Sequence, residues 1–100
     1  PELTRKTVSV LKQVLGDKNV TPRDPVMGGE DFSRYAQGKT PVFMWFLGTI
    51  DRERLARAEK EGKSLPSMHS PLYYPNPEPS VRVGVTSLTL GVLNLARPKR

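Results

Sequence analysis

The chain has 100 residues, 36% of them hydrophobic and 26% charged, which suits one small globular unit rather than two domains with separate cores. Sixteen Lys and Arg against ten Asp and Glu give a net charge of +6. Three of the cations, Arg97, Lys99 and Arg100, crowd the C-terminus, so the rest of the chain is only mildly basic. The position of the charge therefore argues against a nucleic-acid partner.

Other classes are excluded by what the sequence lacks. The absence of cysteine excludes disulfides and thiolate chemistry within this chain. The longest apolar run, residues 42–47, is far shorter than the roughly 20 residues of a membrane-spanning helix. The first residues also lack the basic-then-apolar order of a secretory signal. We expect a cytoplasmic protein with no membrane segment.

The N-terminal segment predicts an amphipathic helix over residues 2–15. Its apolar residues recur at the spacing of a half-buried helical face and are Leu3, Val8, Leu11, Val14 and Leu15. Gly16 is a natural stop for this helix. Beyond it, Val20 and Thr21 form at most a short strand before the turn at Pro22 and Pro25.

The next segment predicts a loop followed by about two helical turns. Gly28 and Gly29 free the backbone, and Asp31 suits the N-cap of a short helix that runs to Gln37. A phosphate-binding loop fits poorly, because no GxxxxGK[ST] pattern is present and Glu30 and Asp31 repel phosphate. An ordinary turn is simpler, with both carboxylates at the positive end of the helix dipole.

Residues 42–47 are apolar on both alternating sets and lie between Pro41 and Gly48. This pattern predicts a strand buried on both faces, which points to an α/β sheet covered by helices on each side. Phe43, Trp45 and Phe46 are interpreted as core residues, because cations are not interleaved with them as in a base-stacking surface.

The second half of the chain alternates between polar and apolar segments. Residues 51–61 hold eight charged side chains and predict an exposed helix or an insertion. Residues 66–79 hold five prolines and predict an irregular, stiff loop without regular helix or strand. The last segment has strand-like alternation at its start but helical spacing throughout, and its length favours a helix over residues 80–95.

His69 is the single histidine and lies between Pro66 and Pro71. A lone histidine is more often a surface or core residue than a metal ligand. A zinc-type site needs three or four ligands, and no HxxxH or HExxH pattern accompanies this one. If His69 binds a metal, its companion ligands must come from elsewhere.

Taken in order, these pieces resemble a known family. The segment Pro25-Val26-Met27-Gly28-Gly29-Glu30-Asp31-Phe32-Ser33, the Pro-led aromatic run, the motif Met68-His69-Ser70-Pro71 and a closing apolar helix are similar to the C-terminal part of the hippurate hydrolase and indole-acetyl-amino-acid hydrolase group. These enzymes are amidohydrolases of the aminoacylase and carboxypeptidase-like metallopeptidase superfamily. The resemblance covers residues 1–96 and leaves 97–100 as a basic tail.

The resemblance implies a fold and an activity. The fold would be a partial three-layer αβα catalytic domain, a C-terminal fragment with one central buried strand and flanking helices. The full enzyme would cleave N-acyl amino acids with water activated by a divalent metal pair such as zinc or manganese. His69 matches the last metal ligand of the family, and Gly28, Gly29 and Glu30 match a loop on the substrate side.

The same resemblance implies that this chain is incomplete as an enzyme. The other ligands and the general base belong to an N-terminal catalytic segment and a lid domain, which are its expected partners. We therefore expect no catalytic residue, no complete metal site and no activity in this chain alone. An unpaired central strand also predicts self-association. The alternative is a small basic module that binds polyanions through residues 97–100, with a steep salt dependence.

Overall fold

A computed structural model describes residues 2–24, 26 and 31–97. The regular structure of these residues consists of helices: α1 (Glu2–Leu15), a 3₁₀-helix (Asp17–Asn19), a second 3₁₀-helix (Asp31–Ala36), α2 (Arg52–Lys60) and α3 (Pro77–Ala96). They fall into two compact units, one drawn from residues 1–45 and 87–100, the other from residues 46–86. Both units receive part of α3, and each is described by itself.

The expected α/β architecture is wrong. The residues described contain no strand and no sheet, so there is no partial three-layer αβα domain with a central buried strand. Residues 42–47 lie outside any helix, and Met44 and Phe46 are 44% and 50% exposed rather than buried. A strand exists only through hydrogen bonds to a neighbouring strand, and this part of the chain supplies none. The short strand expected at Val20 is absent for the same reason.

Helix α1 begins and ends where the apolar spacing predicts. Thr7 and Leu11, one turn apart, are each 3% exposed and form its buried line. At its end, Gly16 adopts a φ of +86°, which favours glycine, and its N–H donates to the Lys12 carbonyl at 2.9 Å. The side-chain amide of Asn19 donates through Nδ2 to the Leu15 carbonyl at 2.6 Å. The carbonyls of Lys12 and Leu15, both in the last turn of the helix, therefore have hydrogen-bond partners.

The short helix predicted from Asp31 is confirmed in the tighter 3₁₀ form and ends at Ala36. Phe32 and Tyr35 lie on successive turns, with ring centroids 5.9 Å apart. The Gln37 N–H donates to the Arg34 carbonyl at 3.3 Å and closes the segment.

Helix α2 confirms the first of the two alternatives predicted for residues 51–61, an exposed, charged helix. The Asp51 carboxylate accepts a hydrogen bond from the Arg54 N–H at 2.8 Å and so caps the first turn. Ala58 is the one residue of this helix that is buried. The helix therefore depends on its cap and local hydrogen bonds more than on an apolar face.

Helix α3 confirms the predicted closing helix but begins at Pro77, inside the proline-rich segment. Proline is tolerated in the first helical turn, because the N–H groups of that turn have no partner within the helix. The expectation that the prolines exclude helix is thus wrong for residues 77–79. It is confirmed for residues 66–76, which form turns and irregular chain.

Small residues of α3 receive side chains from the apolar run. In the unit of residues 1–45 and 87–100, a Cβ on Gly91 would lie 3.7 Å from Cη2 of Trp45, and Ser87 is 2% exposed. In the unit of residues 46–86, a Cβ on Gly84 would lie 3.2 Å from Cδ2 of Leu47. Contacts with a helix, rather than strand pairing, occupy these apolar side chains.

Candidate functional site

His69 lies at the centre of a tight turn in the unit of residues 46–86. The Ser70 N–H donates to the Ser67 carbonyl at 2.9 Å, which places Met68 and His69 at the two central positions. The side chain of His69 is exposed, and its neighbour Met68 is 67% exposed. The turn therefore presents the imidazole outward from this unit.

A second turn follows immediately and shares Ser70 with the first. The Tyr73 N–H donates to the Ser70 carbonyl at 3.0 Å, and the Leu72 N–H donates to the Ser70 hydroxyl oxygen at 3.2 Å. Pro71 is the second residue of this turn, the position at which the fixed φ of proline is favoured. The His-Ser-Pro motif thus has a local structural reason: the serine joins two turns and the proline stiffens the second.

The loop is anchored beyond these turns through Thr49. The hydroxyl groups of Thr49 and Tyr73 are hydrogen-bonded to each other, and both residues are partly buried. The Asn76 N–H donates to the Thr49 carbonyl at 2.6 Å, and the Ser80 hydroxyl donates to the Asn76 carbonyl at 2.5 Å. These bonds join the chain after His69 to residue 49 and to the first turn of α3.

Arg54 is a second anchor, which the sequence analysis missed. Its guanidinium donates to the Tyr74 carbonyl and lies 5.8 Å from the centroid of the Tyr74 ring. Arg54 belongs to the charged run of residues 51–61, which is predicted to be exposed, yet its side chain contacts the loop at Tyr74. The adjacent tyrosines at 73 and 74, within a proline-rich loop, were the signal that could have indicated such contacts.

The described residues do not form a metal site by themselves. They contain no group of three or more His, Cys, Asp or Glu side chains placed to hold a metal ion. His69 could supply one ligand, while a stable site needs several. The expectation that any companions of His69 lie elsewhere stays a prediction. The predicted substrate-side residues Gly28, Gly29 and Glu30 lie outside the described residues.

A basic groove lies in the unit of residues 1–45 and 87–100. Its charged lining consists of Arg5 and Lys6 from α1 and Arg97 after the end of α3, all exposed. Lys6 is 2.5 Å from the Glu2 carboxylate, one turn earlier in α1. Of the predicted basic tail, Arg97 is described, and residues 98–100 lie outside the described residues.

Two curated carboxypeptidases are similar to this chain. Thermostable carboxypeptidase 2 and thermostable carboxypeptidase 1 of Saccharolobus solfataricus are each 34% identical to it over 93 residues, which is 93% of this chain. The matched region is 19% of either relative, so the chain spans about a fifth of their length. No family model matches the chain, and no solved structure matches it.

These similarities support the coarser part of the family expectation, a relation to peptidase-like hydrolases. They do not show that the substrate is an N-acyl amino acid or that a metal pair is bound. In the part of the chain described, no helix has both the length and the apolar character needed to cross a bilayer. The cytoplasmic location stays a prediction.

Proposed function

We propose that this chain is the His69-bearing part of a carboxypeptidase-like metallohydrolase that cleaves N-acyl amino acids such as hippurate. The observation that carries the proposal is the 34% identity to two carboxypeptidases over nearly the whole chain. The exposed imidazole in the first of two successive turns supports it from the structure. The substrate class rests on the resemblance of the Gly-Gly-Glu-Asp-Phe and His-Ser-Pro segments.

In this proposal, His69 binds one metal of a divalent pair such as zinc or manganese. The remaining ligands and the general base come from outside the described residues. The contribution of this chain is to hold the imidazole in place. Two turns at Ser70 and the anchors at Thr49 and Arg54 restrict the loop before a metal arrives, which lowers the entropy lost on binding.

The proposal assigns Gly28, Gly29 and Glu30 to the substrate side of the same site. Glycines without side chains allow backbone amides to approach a bound molecule closely. Replacement of Gly29 by valine in the full enzyme should raise KM for the acylated substrate more than it lowers the metal content.

Activity on two substrate classes tests the proposal. A full-length protein that contains this chain should release glycine from hippurate, and the 100-residue chain alone should release none with added zinc or manganese. N-blocked dipeptides with a free C-terminus serve as the comparison, because a peptidase without amidohydrolase activity prefers them. Hydrolysis of neither class by the metal-loaded full-length protein would contradict the proposal.

A second candidate function is favoured by the groove of Arg5, Lys6 and Arg97. Three cations around one depression can bind a polyanion by displacing its counterions. Because Lys6 is already paired with Glu2, about two anionic groups of the polyanion are neutralised, and the logarithm of the binding constant should fall with the logarithm of salt concentration at a slope of about −1.4 to −1.8. Heparin affinity that is lost in Arg5→Ala but kept in Lys39→Ala, which changes an exposed lysine outside the groove, would support this function.

A further inference from the structure

Helix α2 closes both ends of residues 63–74, the segment that we call the His69 loop. Just after the end of α2, the Lys63 N–H donates to the Ala58 carbonyl at 2.9 Å and fixes where the loop begins. Near the start of α2, the Arg54 guanidinium donates to the Tyr74 carbonyl and fixes where the loop ends. The segment between these two hydrogen bonds is therefore a closed excursion from one helix.

The shape of the Arg54 side chain suits it to hold the end of the His69 loop. Its guanidinium lies 5.8 Å from the centroid of the Tyr74 ring and donates to the carbonyl of the same residue. A planar group with five N–H donors can lie over a ring and donate at its edge, whereas the compact ammonium of lysine has no such fork. The Asp51 carboxylate accepts from the Arg54 N–H at 2.8 Å and so holds the turn of α2 from which this side chain extends.

The hydrogen bond at Tyr74 acts on His69 through a short, ordered piece of chain. The Tyr73 N–H bonds back to the Ser70 carbonyl, and the Ser70 N–H bonds back to the Ser67 carbonyl. Each turn fixes the dihedral angles of its central residues, among them those of His69. A loop held at both ends has fewer conformations than one held at a single end. Loss of the Arg54 bond would therefore increase the number of positions open to the imidazole.

We propose that Arg54 is a positioning residue for His69 and that, by closing the His69 loop on α2, it sets the affinity for the metal ion that His69 binds. This inference rests on the proposed function, because it takes His69 as a metal ligand. Groups that orient a ligand without touching the metal change metal affinity by about 10- to 100-fold when they are replaced. Because Arg54 acts through Tyr74 rather than on the imidazole, we expect the lower end of that range.

Zinc affinity of the full-length protein, measured by competition with a chromophoric chelator, tests the proposal. Arg54→Gln should raise the dissociation constant of zinc about tenfold. Tyr74→Leu keeps the carbonyl, removes the ring and should raise the same constant about threefold. Arg57→Gln is the matched control, because it removes the same charge from an exposed position of α2, and it should leave zinc affinity within about twofold.

Turnover with zinc in excess separates positioning of the ligand from a part in the reaction. When the site is saturated with zinc, kcat and KM of Arg54→Gln for hippurate should return to the values of the unchanged protein. A kcat that stays low in excess zinc would contradict a role through metal affinity and overturn the proposal.

Hydrogen exchange of the metal-free protein reports the His69 loop without metal or turnover. The Ser70 and Tyr73 amides, which close the two turns, should exchange faster in Arg54→Gln but not in Arg57→Gln, with the amides of α1 unchanged in both. If Arg54→Gln fails to fold, Tyr74→Leu supplies both measurements, because the side chain that it changes is 66% exposed.

The variant His69→Ala separates failure of this inference from failure of the proposed function. If His69→Ala weakens zinc binding while Arg54→Gln binds zinc like Arg57→Gln, the positioning role is overturned and the ligand role stands. Equal weakening by Arg54→Gln and Arg57→Gln also overturns the positioning role, because lost charge would then account for both. If His69→Ala binds zinc as tightly as the unchanged protein, the proposed function fails and this inference fails with it.

Discussion

The hydrogen bond between the hydroxyl groups of Thr49 and Tyr73 attaches the loop that follows His69 to residue 49. It joins hydroxyl groups 24 residues apart in sequence, and both residues are partly buried. Tyr73→Phe and Thr49→Val each remove one hydroxyl and keep the shape of the side chain. Neither change touches the Asn76 N–H bond to the Thr49 carbonyl, which belongs to the backbone.

The expected magnitude follows from one hydrogen bond in a partly solvated setting. Each single variant should lower the free energy of unfolding by about 1–1.5 kcal/mol, because it removes the bond and leaves the other hydroxyl without that partner. The double variant should lower the free energy of unfolding by no more than about 0.5 kcal/mol beyond either single variant. The coupling energy of the cycle is then about 1 kcal/mol, roughly a fivefold change in the unfolding constant.

Urea denaturation of the four chains measures this cycle, and hydrogen exchange of the Asn76 amide reports the loop directly. Faster exchange at Asn76 in the single variants, with α1 amides unchanged, would place the effect in the loop. Strict additivity of the two substitutions would refute the assigned hydrogen bond. So would exchange that accelerates equally in α1, because the loss would then be global.

Substitutions at four further positions test local features of the fold. Gly91→Ala should stabilise α3 by about 0.5–1 kcal/mol, because the added Cβ would lie at an ordinary 3.7 Å from Trp45. Gly84→Ala should raise the thermal midpoint less, because its Cβ would lie only 3.2 Å from the Leu47 side chain. Asp51→Ala should cost about 1 kcal/mol through the lost cap of α2, and Asp51→Asn, which keeps an acceptor, should cost little by circular dichroism melting. Gly16→Ala should destabilise the end of α1, because its φ of +86° strains any side chain, and an unchanged melting temperature would contradict that conformation.

Local periodicity was enough to predict α1, and it contributed to the prediction of α3. Leu11 and its apolar neighbours define a face with helical period, and Gly16 marks its end, so α1 follows from short-range rules. For α3, the start of the segment alternates like a strand, and the length of the segment over residues 80–95 favoured a helix. These features depend on residues within one or two turns of each other, which a sequence displays directly.

The strand prediction was wrong because a strand depends on partners that the run itself does not specify. Residues 42–47 have the composition of a buried strand, yet Trp45 contacts Gly91 of a helix instead. Apolar character establishes that a segment needs cover and leaves open what covers it. The anchors at Thr49 and Arg54 escaped prediction for a related reason, since each bonds a residue some 20 positions away.

The motif around His69 could be predicted from the sequence, but a complete metal-binding centre could not. His69 stood out in the sequence because of its flanking prolines and the resemblance of its motif to a hydrolase segment. The structure places it, exposed, in the turn of residues 67–70. The described residues contain no group of three or more His, Cys, Asp or Glu side chains that could hold a metal ion. The metal pair therefore stands as a proposal about a longer protein.

Metal content of the full-length protein tests the central claim most directly. The variants His69→Ala and Met68→Ala are purified under identical conditions. They change neighbouring exposed residues of the same turn, but only His69→Ala removes an imidazole, so Met68→Ala is the control. We expect His69→Ala to lose at least half of the bound zinc or manganese and most hippurate hydrolysis, and Met68→Ala to keep both. Equal metal content and turnover in the two variants would contradict a ligand role for His69.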